Sequence, residues 1–101
     1  MKSGYKIYWT DYALNELEKT IEFLEENWTE KEIRKLVLNL EETISIISRN
    51  PFIFQVSEIK PEIRRAVILR YNTLYYRIQS GHIEILSFFS NRQNPKKRKL
   101  K

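Results

Sequence analysis

Three strand-length runs, separated by gaps too short for a crossover helix, constrain this chain more than anything else in it. Ile63 to Tyr71 is the first run, Thr73 to Ile78 the second after a break at Asn72, and Ile83 to Phe89 the third after a turn at Ser80-Gly81. β-Branched and aromatic residues dominate each run, and turn formers bound them. Parallel strands need a crossover of a dozen or more residues, so these three form an antiparallel meander. Arginine is threaded through and just beyond the runs at Arg64, Arg65, Arg70, Arg77 and Arg92. A sheet presenting that many guanidinium groups suggests a surface for an anionic partner.

Before the meander the period changes. Tyr5 to Trp9 alternates as a short strand, with Tyr5, Ile7 and Trp9 on one face and Lys6 and Tyr8 on the other. Thr10 or Asp11 can cap the helix that follows, predicted over 11–27. Its apolar stripe is Leu14, Leu17, Ile21, Leu24 and Trp28, and Glu16, Glu18, Glu22, Glu25 and Glu26 form the opposite, solvated side. Thr29-Glu30-Lys31-Glu32 has the form of a capping box and opens a second helix, predicted over 30–49. Ile33, Leu36, Val37, Leu40, Ile44 and Ile47 make its stripe, and Pro51 disfavours helix at Asn50. A connection this short makes an antiparallel helical hairpin. The expected order is β-α-α-β-β-β, an α+β fold with the hairpin packed on one face of an antiparallel sheet.

A length of 101 residues allows one core and not two. The chain has no cysteine, which excludes a disulfide framework, a thiolate metal site and a cysteine nucleophile together. No run approaches the roughly 18 apolar residues of a membrane span. The first residues lead straight into a strand pattern and not a signal peptide, so a cytoplasmic protein is expected. The net charge of +5 conceals an asymmetry: residues 10–50 hold ten acidic and five basic side chains, residues 51–101 eleven basic and three acidic. One end of the molecule is thereby suited to a polyanion or an acidic protein.

The ordered set of features resembles one family. A strand ending in Trp9 leads to a helix of the Ala13-x-x-x-Leu17-x-x-x-Ile21 type, then Trp28 and the Asn50-Pro51 exit. Ile63-Arg64-Arg65, Tyr75-Tyr76-Arg77-Ile78, Ile83-Glu84-Ile85-Leu86 and Arg92-Gln93-Asn94-Pro95 complete it. Together they are similar to the RelE/ParE superfamily of bacterial type II toxin–antitoxin toxins. The resemblance implies a single toxin domain over residues 1–95, followed by a basic tail over 96–101. It also implies a toxin of a plasmid-stabilisation type of module, neutralised by a cognate antitoxin in a hetero-oligomer. RelE-like members cut messenger RNA at the ribosome, whereas ParE-like members poison DNA gyrase without nuclease chemistry.

Site residues bear on that choice. A metal-independent ribonuclease needs groups that activate the 2′-hydroxyl, stabilise the phosphorane and protonate the leaving oxygen. RelE-like members place a histidine or tyrosine near the end of the last strand, where this chain has Phe88-Phe89-Ser90-Asn91-Arg92. His82, the only histidine, sits in a hairpin turn at the other end. Arg64, Arg65 and Arg77 can clamp a phosphate, and Tyr71, Tyr75 and Tyr76 are the remaining proton-transfer candidates; Tyr76 falls on the helix side, and Tyr75, on the same side as Arg77, is the one preferred. The ParE-like reading is therefore preferred, with enzymatic activity doubtful and no metal or cofactor expected. A RelE-like ribonuclease using Arg64, Arg65, Tyr75 and Arg77, and a degenerate member that only binds its antitoxin, are the competing readings.

For the target, gyrase or ribosome with its messenger RNA, the expected contacts are Arg64, Arg77, Arg92, Lys96, Lys97 and Arg98. An antitoxin segment that folds over the hairpin gains affinity from apolar burial, with Leu14, Ile21, Leu36 and Leu40 as its expected seat.

Overall fold

The computed structural model describes residues 4–58 and 60–90. Strand β1 (Lys6–Trp9) runs into helix α1 (Asp11–Asn27), α2 (Glu30–Arg49) follows, and the sheet is completed by β2 (Ile63–Ile68), β3 (Asn72–Gln79) and β4 (His82–Ser90). Thr10 is the cap of α1: its Oγ1 accepts the Ala13 N–H at 3.2 Å and donates to the Ile85 carbonyl at 3.0 Å. One hydroxyl thus starts the helix and ties it to the sheet. Thr29 starts α2 by accepting the Glu32 N–H at 3.4 Å. Both helices have the expected bounds.

The strand order is β1-β4-β3-β2. β2, β3 and β4 are antiparallel as the short gaps require, but β1 lies parallel to β4, with Lys6 opposite His82 and Trp9 opposite Ile85. The sheet is therefore mixed and not wholly antiparallel. The helical hairpin is the cause. α2 returns the chain to the end where β1 began, Ser48 bonding Tyr5 through both its carbonyl (from Tyr5 N–H, 2.8 Å) and its hydroxyl (to Tyr5 O, 2.7 Å). β2 starts from that same end, and two reversals later β4 runs in the sense of β1.

One sheet face carries the core: Ala66, Ile68, Leu74, Tyr76, Ile83, Ile85 and Phe88 meet Ala13, Leu24, Leu36, Leu40 and Ile47. Inward positions of β4 step from Ile85 to Phe88 because the register shifts opposite Tyr75/Tyr76, which leaves Leu86 as an extra residue. Of the α2 stripe, Leu36, Leu40 and Ile47 are buried and Ile33, Val37 and Ile44 half-buried. That of α1 is turned: Ala13, Thr20 and Leu24 are buried, whereas Leu14 is 44% and Trp28 45% exposed. Small residues at 13 and 20 let α1 approach β4 more closely than a row of leucines allows.

The first hairpin also differs from expectation. β2 ends at Ile68 and not Tyr71, because Leu69 and Arg70 adopt left-handed φ values of 53° and 58°. Asn72 opens β3 and is buried, its Nδ2 donating to the Ile68 carbonyl at 3.1 Å across the turn. Gly81, with φ of 76°, makes the second turn where Ser80-Gly81 places it.

Candidate target-binding face

Alternation and register assign the face away from the helices. Arg65 and Val67 on β2, Thr73, Tyr75, Arg77 and Gln79 on β3, and Glu84 and Phe89 on β4 share it. Arg65 lies directly opposite Tyr75, and Tyr75 opposite Ser87, in one row across three strands. Among the described residues the Arg65 guanidinium has no hydrogen-bond or ion-pair partner. It is a free cation beside a phenol.

Arg77 is engaged. Its Nη2 and Nε donate to Glu84 Oε1 at 2.7 and 3.2 Å, and Gln79 Nε2 adds a third bond at 3.3 Å. The Arg77 hydrogen bond, with help from Gln79, holds the Glu84 carboxyl below its usual range. A phosphate approaching Arg77 has to compete with that carboxylate. The pair is open to solvent, so salt weakens it.

Arg64 faces the other way. It stands opposite Tyr76, and its Nη1 donates to the carbonyls of Phe54 at 2.6 Å and Phe52 at 3.3 Å while the guanidinium lies 5.2 Å over the Phe52 ring. The expected set Arg64, Arg65, Tyr75, Arg77 is thus not one constellation: three members share a face, and Arg64 fastens the α2–β2 connection from the opposite side. Neighbours in a strand always point to opposite faces. Tyr76 is buried there too, donating to the Pro51 carbonyl at 2.6 Å. Burial pushes its phenol up to about 12, the nearby Arg64 charge acting against the shift. Tyr76 is structural, and Tyr75 is left as the phenol of the open face.

The end of β4 itself carries neither histidine nor tyrosine. Phe88 lies in the core and Phe89 stands exposed opposite Thr73. His82 sits at the far end of the strand, its ring edge-on to Tyr8 at 5.1 Å, and so is half-buried against an aromatic neighbour and not free in the turn. No three His, Asp or Glu side chains among the described residues lie close enough to hold a metal ion. No described helix is long and apolar enough to cross a membrane.

The expected antitoxin seat divides. Leu14 is exposed and Ile21 half-buried on one flank of α1, but Leu36 and Leu40 are inside the core and offer no surface. Arg92, Lys96, Lys97 and Arg98, and the boundary after residue 95, lie outside the described residues.

Sequence reasoning missed Glu16. Its carboxylate turns to β4 and accepts Ser87 Oγ–H at 2.8 Å and the Phe88 N–H at 2.7 Å. The available signal was its place between Ala13 and Thr20, three residues from one and four from the other, on the buried side of α1.

Comparison with known proteins agrees with this architecture. The family described as the ParE toxin of type II toxin-antitoxin system, parDE, matches residues 7–95. No curated protein matches the sequence. Among solved structures, a chain of the chromosomal ParDE TA system from P. aeruginosa is similar with a TM-score of 0.71 at 18% identity, over 85% of this chain and 95% of that one. The YoeB dimer from Staphylococcus aureus gives 0.58 at 19%, over 84% and 94%. The conserved protein HP0894 from Helicobacter pylori gives 0.52 at 17%, over 87% and 96%. At such identities the structural likeness speaks for the fold alone.

Proposed function

The chain belongs to the ParE toxin family of type II toxin–antitoxin systems, and from that premise we propose that it is a growth-arresting toxin directed at DNA gyrase. It acts in the bacterial cytoplasm as part of a plasmid-stabilising module, and its cognate antitoxin keeps it silent. The observation that carries the choice of target is the composition of the open sheet face. An RNA-cutting site needs an acid and a base in addition to its cations, a pair typically worth about 10²–10⁴ in rate. On this face Tyr75 is the phenol beside the free cation Arg65, Arg77 is taken by Glu84, and the strand end carries Phe89. Such a face is equipped to bind and poorly equipped to cleave.

In this reading Arg65 and Arg77, with Arg92, Lys96, Lys97 and Arg98, supply the positive potential that meets the target. The α1 flank at Leu14 and Ile21 seats the antitoxin. The alternative is a ribosome-dependent endoribonuclease, and one observation favours it: Arg65 and Tyr75 are register partners on an accessible face. The deciding comparison sets gyrase supercoiling against cleavage of ribosome-bound messenger RNA, using antitoxin-free wild type and Tyr75→Phe. Gyrase inhibition with intact messenger RNA is expected. Codon-specific cuts that vanish in Tyr75→Phe would transfer the function to the ribonuclease reading.

A further inference from the structure

Residues 50–57, between α2 and β2, are closely hydrogen-bonded although they have almost no regular structure. Five of their carbonyls are occupied: Asn50 by the Ile53 N–H at 3.1 Å, Pro51 by the Tyr76 hydroxyl at 2.6 Å, Phe52 and Phe54 by Arg64, and Gln55 by the Arg65 N–H at 3.0 Å. Ser57 N–H closes the series on the Ile63 carbonyl at 2.7 Å. Phe54 turns inward, edge-on to Tyr76 at 6.5 Å. Phe52 and Ile53 turn outward, each 63% exposed. Two adjacent large apolar side chains are displayed on a backbone whose neighbouring carbonyls are hydrogen-bonded.

Fixed apolar anchors are what a protein interface rewards, because docking them costs little ordering entropy. Arg64 adds direction. Its Nη1 is used on the two carbonyls, whereas Nε and Nη2 have no partner among the described residues. A guanidinium with one free edge beside an aromatic ring fits a carboxylate at the lip of an apolar pocket.

We propose that Phe52 and Ile53 form a preordered knob that enters an apolar, carboxylate-rimmed pocket on the protein target of this toxin. The inference rests on the reading that the chain acts by binding a protein. The knob is continuous with the open face through Arg65, whose backbone holds Gln55 and whose side chain lies on that face. It belongs to the β2 edge, at the opposite side of the sheet from the β1–β4 edge on which α1 packs.

The test uses the full chain and the double variant Phe52→Ser/Ile53→Ser, with matching circular dichroism and melting as the condition for comparison. Gyrase inhibition, growth arrest on induction, antitoxin affinity and sedimentation with phosphatidylglycerol vesicles are then measured. The knob predicts at least about a tenfold weaker inhibition and a parallel loss of arrest, as truncating interface anchors produces, with antitoxin affinity unchanged. Undiminished inhibition and arrest overturn it, as does a loss confined to antitoxin affinity or to vesicle binding. If the wild type arrests growth without touching gyrase, the gyrase reading fails, and growth arrest alone judges the knob: lost in the variant supports it, retained overturns it. A wild type that does neither overturns both. A variant that fails to fold is replaced by Phe52→Tyr/Ile53→Thr, which is held to the same outcomes.

Discussion

Glu16 and Phe88 are joined by a 2.7 Å hydrogen bond in which a helix carboxylate accepts a strand amide. β1 covers β4 only as far as Ile85, so among the described residues the edge beyond it has no neighbouring strand. The carboxylate takes the place of one and also holds Ser87. A hydrogen bond to a charged group contributes about 1.5–3 kcal/mol, so Glu16→Ala should lose that much in urea unfolding. Glu16→Gln should lose less, since its amide oxygen still accepts. An alanine variant as stable as wild type would remove this role.

Arg64 and Arg65 should part company under mutation. Arg64→Ala unfastens the Phe52 and Phe54 carbonyls, and a cost of about 1–3 kcal/mol is expected. Arg65→Ala removes an unpartnered surface cation and should stay within about 0.5 kcal/mol. Toxicity should respond in the reverse sense for Arg65: reduced activity from a fully folded protein. Equal melting temperatures for the two variants would contradict the assignment of Arg64 to the helix side.

Tyr76 predicts an alkaline limb. Its phenol titrates near 10 in an unfolded chain and at about 12 in the fold. A raised pKa means that the protonated form stabilises the fold fully below pH 10, and that this contribution is lost as pH climbs through 12. Tyr76→Phe should be less stable at neutral pH by about 1–3 kcal/mol, with the gap to wild type closing between pH 10 and 12. A gap that stays constant over that window would show that the phenol does not titrate against the fold.

Three leucines separate packing from recognition. Leu36→Ala and Leu40→Ala create core cavities and should each cost about 2–5 kcal/mol. Leu14→Ala, at a largely exposed position, should cost under about 1 kcal/mol and act instead on antitoxin affinity. Denaturation and titration of the same variants give both readings. Wild-type antitoxin affinity in Leu14→Ala would move the seat away from this flank.

Local patterns were legible wherever one period governed them. The bounds of both helices, the caps at Thr10 and Thr29, the inward set of α2, and the opposite faces of Tyr75 and Tyr76 all follow from spacing within a few residues. What escaped depended on partners far away in sequence or on residues without a strong signal. Ala13 and Thr20 carry little hydropathy, so the buried side of α1 was read from its leucines and rotated. Leu69 and Arg70 make a left-handed turn without the glycine or asparagine that announces one, so β2 was drawn too long. Nothing local tells β1 that its neighbour is β4. The split between Arg64 and Arg65 was available, since adjacent residues on a strand cannot share a face, but the pattern of charge obscured it.

The parallel seat of β1 against β4 sets a clock on synthesis. Thr10, made early, caps its helix against Ile85, 75 residues later. At ~5–20 residues per second, roughly 4–15 s of translation separate the two. During that interval the helical hairpin can form from local contacts, but neither Trp9 nor Glu16 has a place to rest. Assembly therefore waits for nearly the whole domain to emerge, and a half-translated chain has no complete sheet on which to present Arg65. The cell that makes this protein holds an unfinished object until its last strand arrives.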